Sequence, residues 1–401
     1  MHSQPLKGSN LTTVKGINSR LILHLMRVHK TLTKAEATRM TGLSANAISM
    51  IFRALEKEGF LLKGNLIRGK RGQPSTEIRL NPDVRHYIGF KVGRRSFDLV
   101  LINFIGDIKA RIVSYHRYPT PSNTLRFIEE NLSTLLSEAQ LLHEDISAFN
   151  IACPFELWNW ASDFDAPLQE METWRDFDLK ESIKEIVEWP VSIENDGTAA
   201  SRAELLFGPD LKAQDLVYFF VGTFIGGGVV LNGSVFPGLR GGAGGFGPLR
   251  VPDERGGERL VDHASLVTLE HMMTEQTLPI AQDIYLEAFD WSQGEEAVSA
   301  WLKRAGRSLG HAIVSTLAVI DFETVVIDGA FPATIRERLI REIEAQLDKL
   351  DLQGIVRPVI NAGHFAHVAR ALGAAGYQIS TEFMINQNTL LRESPTTFLN
   401  D

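Results

Sequence analysis

The sequence predicts an α/β protein in two parts, a winged helix-turn-helix at the N-terminus and a larger two-lobed body behind it. Three observations carry this expectation. Residues 33–57 hold two helical patterns parted by a glycine turn, and net charge reverses sign near residue 85. Beyond that point, runs of alternating strands followed by helices occur twice. At 401 residues the chain is longer than one hydrophobic core usually fills, and 44% hydrophobic residues are ample for folded domains.

Within TKAEATRMTGLSANAISMIFRALEK, Gly42 ends the first helix and Ser44 is placed to cap the second. Ile48, Ile51, Phe52 and Leu55 then recur at helical spacing and form one apolar stripe. The opposite face carries Asn46, Ser49 and Arg53, which with Ser44 at the helix start are the polar groups expected to meet base edges and phosphates in a major groove. The alternative is an ordinary amphipathic hairpin, but the basic segment LIRGKRGQPST that follows favours DNA.

Charge supports the division. Residues 1–85 contain 15 Lys and Arg against 5 Asp and Glu, a net of +10; the other 316 residues carry −18, so the whole chain sums to −8. A small basic reader joined to an acidic body fits a partner made of phosphates. The single cysteine, Cys153, excludes an intramolecular disulfide or a Cys-rich zinc cluster and suits a reducing cytoplasm. The polar start, residues 1–16, reads as a flexible arm, and no run approaches the ~20 apolar residues of a membrane span. The DNA-binding domain is placed at 17–82, the body at 86–380 and a polar tail at 381–401.

Residues 60–63 and 76–80 are expected to pair as the strands of a wing, with Arg68, Lys70, Arg71 and Gln73 at its glycine-relaxed tip, in reach of phosphates or a minor groove. Gly64 to Lys70 also spell G-x-x-x-x-G-K, but Arg71 stands where a nucleotide loop needs Ser or Thr, and Pro74 obstructs the helix that should follow. In the body, strands are predicted over 87–92, 97–103, 108–113, 323–328 and 355–361. Helices are predicted over 124–142, 197–206, 295–319, 333–349 and 365–376, and Asn232-Gly233 marks a hairpin.

At this level of detail the chain resembles the ROK (Repressor, ORF, Kinase) family of sugar kinases and sugar-responsive repressors, from about residue 18 to about 377. The resemblance rests on the winged head, WRDFDLKESI at 174–183, IENDGTAA at 193–200, GTFIGGGVVLNG at 222–233 and GLRGGAGGFG at 238–247. It implies an actin/hexokinase-like body, self-association and a hexose-like ligand in a cleft. Through it, Asp196 matches the kinase base, surviving here as a remnant, and Asn195 matches a residue that binds sugar hydroxyls. Strand alternation adds Glu194 on the same side as Asp196. The bland reading of Asp196 is a helix cap. Gly222, Thr223 and Gly244 complete the expected effector contacts.

Departures from the family pattern point away from catalysis. Where family kinases carry Asp-x-Gly-Gly-Thr, this chain has Lys91-Val92-Gly93-Arg94-Arg95, which keeps the charge to attract phosphate but not the metal carboxylate or the loop shape. The pattern Gly-Glu-Ile-Gly-His has become Gly244-Gly245-Phe246-Gly247-Pro248. The cysteine-rich zinc loop is replaced by VPDERGGERLVDHAS, so no metal site is expected there, and His263 and His271 read as surface or core residues.

The sequence reading is therefore a cytoplasmic, non-enzymatic transcriptional regulator, a repressor, without a cofactor. It would bind a palindromic operator as a homodimer or homotetramer and answer to a sugar or sugar-derivative effector; no membrane is involved. Two alternatives stand beside it: an ATP-dependent sugar kinase with a DNA-binding head, and a regulator whose body only dimerises. Replacing Arg71 with alanine should weaken binding to all DNA sequences alike and flatten its salt dependence. Titrations at several salt concentrations check this, and a changed sequence preference with an unchanged salt slope would contradict the wing.

Overall fold

A computed structural model describes residues 11–67, 75–159, 161–209, 215–252 and 257–385. The chain forms two compact units, one of residues 1–86, 103–107 and 378–401, the other of 87–102 and 108–377.

The first unit opens with α1 (Leu11–His29), a helix that begins inside the segment expected to be an arm. Ile22, Leu23 and Met26 are its buried face. After the short strand β1 (Thr31–Leu32), Thr33 and Glu36 form a reciprocal capping box that starts α2 (Lys34–Thr41). Gly42 closes that helix in the left-handed conformation, and Ser44 caps α3 (Ala45–Lys57) by accepting from the Ala47 amide. Of the predicted stripe, Ile48, Phe52 and Leu55 are buried and Ile51 is half-buried. Strands β2 (Leu61–Ile67) and β3 (Ser75–Leu80) pair antiparallel, and β1 adds to β3 to give the order β1-β3-β2. The wing-tip residues Arg68, Lys70, Arg71 and Gln73 lie outside the described residues.

This unit includes pieces that the sequence assigned elsewhere. Phe104, in the 103–107 turn, packs against Phe60 (centroids 5.4 Å apart) and Phe383 (5.3 Å), and Phe60 meets Phe383 at 5.1 Å. Arg27 of α1 donates to the Phe104 and Ile105 carbonyls at 2.7 and 3.3 Å. The helical turn Ile379–Phe383 thus belongs to a core, although its flanking sequence reads as a polar tail. Three rings met from distant segments leave no periodic signal, which is why the tail was misplaced.

The second unit contains two five-stranded sheets. The first is built from β4 (His86–Val92), β5 (Ser96–Asn103), β6 (Ile108–Tyr115), β7 (Ile146–Cys153) and β8 (Val191–Asn195), in the order β6-β5-β4-β7-β8. Helix α4 (Pro121–Ala139) joins β6 to β7, and the short α5 (Leu168–Glu172) and α6 (Leu179–Lys184) precede β8. Helix α7 (Asp196–Phe207) follows directly. The second sheet uses β9 (Leu216–Val221), β10 (Ile225–Leu231), β11 (Ser234–Val235), β14 (Thr324–Gly329) and β15 (Val359–Ala362), in the order β11-β10-β9-β14-β15. Between them come β12 (Arg250–Val251), β13 (Glu258–Arg259), α8 (Val261–Ala264), α9 (Leu266–Glu275) and α10 (Glu295–Leu317). Helices α11 (Ala333–Leu347) and α12 (Ala369–Ala375) complete the unit. Both sheets follow one plan: third, second and first strand, then the fourth and fifth. Asn232 and Gly233 take positive φ (54° and 65°) and make the predicted hairpin between β10 and β11.

The two sheets are brought together through α7 and α12, which touch at backbone distance. A Cβ added at Gly373 of α12 would lie 1.7 Å from the Ala199 carbonyl oxygen of α7, and one at Gly197 would lie 2.2 Å from the Gly227 carbonyl of β10. Larger side chains at these points would push the elements apart. Gly373→Ala is expected to cost about 1–3 kcal/mol, while Gly226→Ala, whose added methyl meets nothing within 4 Å, should be close to neutral. Urea unfolding at constant m-value checks this; equal midpoints for the two variants would refute the packing argument.

Candidate functional site

A cavity of about 700 Å³ opens in the second unit. Its wall takes Arg94 from the β4–β5 turn, Phe155, Glu156, Trp158 and Asn159 from the segment after β7, and Asn195 and Asp196 from the start of α7. Thr223 and Phe224 come from the β9–β10 turn, Arg240, Gly244, Gly245 and Pro248 from the glycine-rich segment, and Arg370 from α12. It is a concave site with aromatic faces and a few polar groups, the usual character of a small-molecule pocket.

The α7 junction places the acid. Asn195 caps the helix, its Oδ1 accepting from the Gly197 and Thr198 amides at 2.9 and 3.3 Å. Asp196 is therefore the first helical residue and not the cap, and its carboxylate accepts from Arg370 Nη1 at 3.3 Å. The chain turns helical at Asp196, so strand alternation stops there and the expected pairing of Glu194 with Asp196 on one side fails. Glu194 instead forms an ion pair with Arg202 and does not line the cavity. Burial pushes the Glu194 carboxyl up, and Arg202 opposes it. Gly222 is also outside the lining; its carbonyl accepts from the Leu266 amide at the start of α9. Of the expected effector contacts, Asn195, Asp196, Thr223 and Gly244 share the cavity wall.

The three cations that replace the phosphate loop go separate ways. Arg95 is held by Glu270 through two hydrogen bonds of 3.1 and 2.9 Å and donates to the Arg117 carbonyl. Lys91 is only 2% exposed and donates to Ser96 Oγ at 2.6 Å. Only Arg94 reaches the cavity, its guanidinium 4.7 Å from the Phe224 ring centre. Arg370 lies at the same distance from the Phe220 ring. A divalent ion beside Asp196 would face Lys91, Arg94 and Arg370, so these residues do not fit the metal a kinase would use.

The zinc position fails the same test. His263 is buried, with Nδ1 2.9 Å from Ser308 Oγ on α10 and Nε2 2.6 Å from Glu258 on β13. Arg304 approaches Glu258 at 3.5 Å. Both ring nitrogens are engaged, so a hydrogen-bonded network ties this loop to α10 where a metal would otherwise do so. His271 is exposed. Among the described residues, no group of three or more His, Cys, Asp or Glu is arranged to hold a metal ion.

Several lining residues were not read from the sequence. Arg370 lies in HFAHVARALGAAG, where nothing in its spacing connects it to Asp196, and Phe155, Trp158 and Asn159 follow a strand in an irregular segment. Arg240 was legible as the only charge in GLRGGAGGFG. In the first unit, Asn46 and Arg53 are exposed and Ser49 is half-buried on the outer face of α3, and Ser44, though exposed, spends its oxygen on the cap. Met50, 53% exposed, extends this face and was also missed.

Lys91 yields a test of the site's charge. Burial, reinforced by Arg370 and Arg111 and opposed by Asp98 and Asp196, brings its ammonium from 10.5 to about 7. The unfolded chain keeps this proton up to about pH 10.5 while the folded chain releases it above about 7, so this group's contribution to stability rises with pH across that window. Lys91→Met should therefore stabilise most at pH 6 and progressively less towards pH 10, read as the difference in unfolding midpoint from the parent. A difference that does not change with pH would rule this out.

Comparison with known proteins agrees with this architecture. A xylose repressor of Bacillus subtilis is 24% identical over 240 residues, which are 60% of this chain and 62% of that one. A solved ROK family transcriptional regulator, described as a homologue of the Escherichia coli MLC protein, superposes with a TM-score of 0.64 at 18% identity, covering 92% of this chain and 97% of the other. The ROK hexokinase of Thermus thermophilus superposes with a TM-score of 0.52 at 23% identity, over 72% of this chain and 97% of its own. The ROK family pattern matches residues 87–379, most of the chain, and the protein belongs to the ROK family.

Proposed function

We propose that this protein is a cytoplasmic, sequence-specific transcriptional regulator, a repressor of carbohydrate-metabolism genes, whose body binds a sugar or sugar-derivative effector and catalyses no reaction. The observation that carries the reading is α3. Its apolar stripe is buried while Asn46, Met50 and Arg53 face outward, in a segment of net charge +10. An amide, a thioether and a guanidinium on one helix face suit adenine edges, thymine methyls and guanine or phosphate respectively. The regulator names among the relatives and neighbours support the same reading.

The cavity supports binding without turnover. Asp196, the group a kinase would use as base, accepts from Arg370, and cations occupy the surroundings where metal and phosphate would be held. Effector binding in an oligomer would change the separation of two DNA-reading heads on a palindromic operator, where half-site spacing is set by the helical repeat. The kinase alternative draws on one observation, that Asp196 faces the cavity; it requires ATP turnover that Asp196→Asn abolishes.

The test is fluorescence anisotropy with DNA from the protein's own upstream region, against scrambled DNA and across a panel of sugars. Arg53→Ala should weaken specific binding by about tenfold or more and relax the preference at one base position in each half-site. Equal affinity for both DNAs at physiological salt would sink the regulator reading.

A further inference from the structure

The cavity shares part of its wall with a second, much smaller chamber. The inner one, about 20 Å³, is lined by Lys91, Arg111, Glu287 and His367, and it meets the outer cavity at Arg94, Thr223 and Arg370. The inner acids share one cation: Asp98 accepts from Arg111 at 2.7 Å, and Glu287 pairs with the same guanidinium. Glu270 is taken by Arg95. Lys91 faces Asp98 and Asp196, Arg94 faces Asp196 and Asp163, and Asp196 accepts from Arg370.

The two arginines are also held in place. Each stacks on a phenylalanine at 4.7 Å, and both line the outer cavity. Thr223 adds a hydroxyl to the wall that the two cavities share. Beyond this wall, the outer cavity is lined by Trp158, whose ring also carries the Arg175 guanidinium, and by Glu156, which accepts from Asn159 Nδ2, an aromatic and polar combination suited to a polyhydroxylated ring.

We infer that Arg94, Arg370 and Thr223 form an oxyanion seat, so that the effector is an acidic carbohydrate bearing a phosphate or a carboxylate and not a neutral sugar. This rests on the regulator reading and specifies its ligand. Arg94 belongs to a turn of the first sheet and Thr223 to a turn of the second, so an anion bound to both ties the two sheets together. The planar fork of arginine recognises either oxyanion through paired N–H donors.

The experiment is calorimetric titration of the full chain with glucose, glucose 6-phosphate, gluconate and inorganic phosphate, repeated on Arg94→Gln and Arg94→Lys. An acidic sugar should bind at least about tenfold more tightly than glucose, Arg94→Gln should remove most of that advantage, and Arg94→Lys should restore part of it. Preference for the phosphate over the carboxylate, or the reverse, identifies the headgroup. Glucose binding as tightly as both acids overturns the proposal, and so does inorganic phosphate binding as tightly as glucose 6-phosphate. Should Arg94→Gln fail to fold, the parent protein decides: affinity for the acidic sugar must fall with rising salt while that for glucose does not. Loss of specific DNA binding with the acidic preference intact would remove the regulator reading alone.

Discussion

The close crossing of α7 over α12 is the constraint on which the body depends. Gly373 lies against the Ala199 carbonyl and Gly197 against the Gly227 carbonyl, and neither approach leaves space for a side chain. Because α7 starts at the Asn195 cap, the same contact that joins the sheets also fixes where Asp196 points. Arg370 is carried on the partner helix, so the acid and its cation are positioned by one packing event. The cavity wall is thus set by backbone contact more than by the side chains that line it, and the lining can change without loss of the fold.

Such change is visible in the charge. Positions where a kinase would gather metal and phosphate hold Lys91, Arg94 and Arg95 here, each stabilised differently: by a hydroxyl, by an aromatic face, and by a buried carboxylate. A fixed ammonium or guanidinium supplies positive charge without a diffusible ion, but it cannot offer an open coordination position. The His263–Ser308–Glu258 network likewise holds its loop to α10 by hydrogen bonds.

Much of the architecture was legible because it is periodic. The apolar stripe of α3, the strand–strand–strand–helix order and the Asn232-Gly233 turn each leave a local pattern, and each was found close to its expected bounds. The site was legible only where a motif is contiguous: Asn195, Asp196, Thr223 and Gly244 were placed together, whereas Arg370 and Trp158 come from segments with no shared spacing. Glu194 was misread for a physical reason, since the alternation that put it beside Asp196 ends one residue too early. Lys91 and Arg95 read as part of a cationic cluster, but which cation faces the cavity depends on distant partners such as Glu270.

The ring cluster of Phe60, Phe104 and Phe383 has a consequence for how the molecule comes into being. Phe60 and α1 to α3 are made before the body, yet the third ring is made only after it. The unit that precedes the body in sequence is therefore completed after it, because its core waits for residues 103–107 and 378–385. A nascent chain stalled within the body would carry α3 but not the aromatic contact that completes the core beneath it. The same arrangement makes the head hard to inherit separately: a gene fusion cut after residue 86 would transplant the helices and leave two of three rings behind.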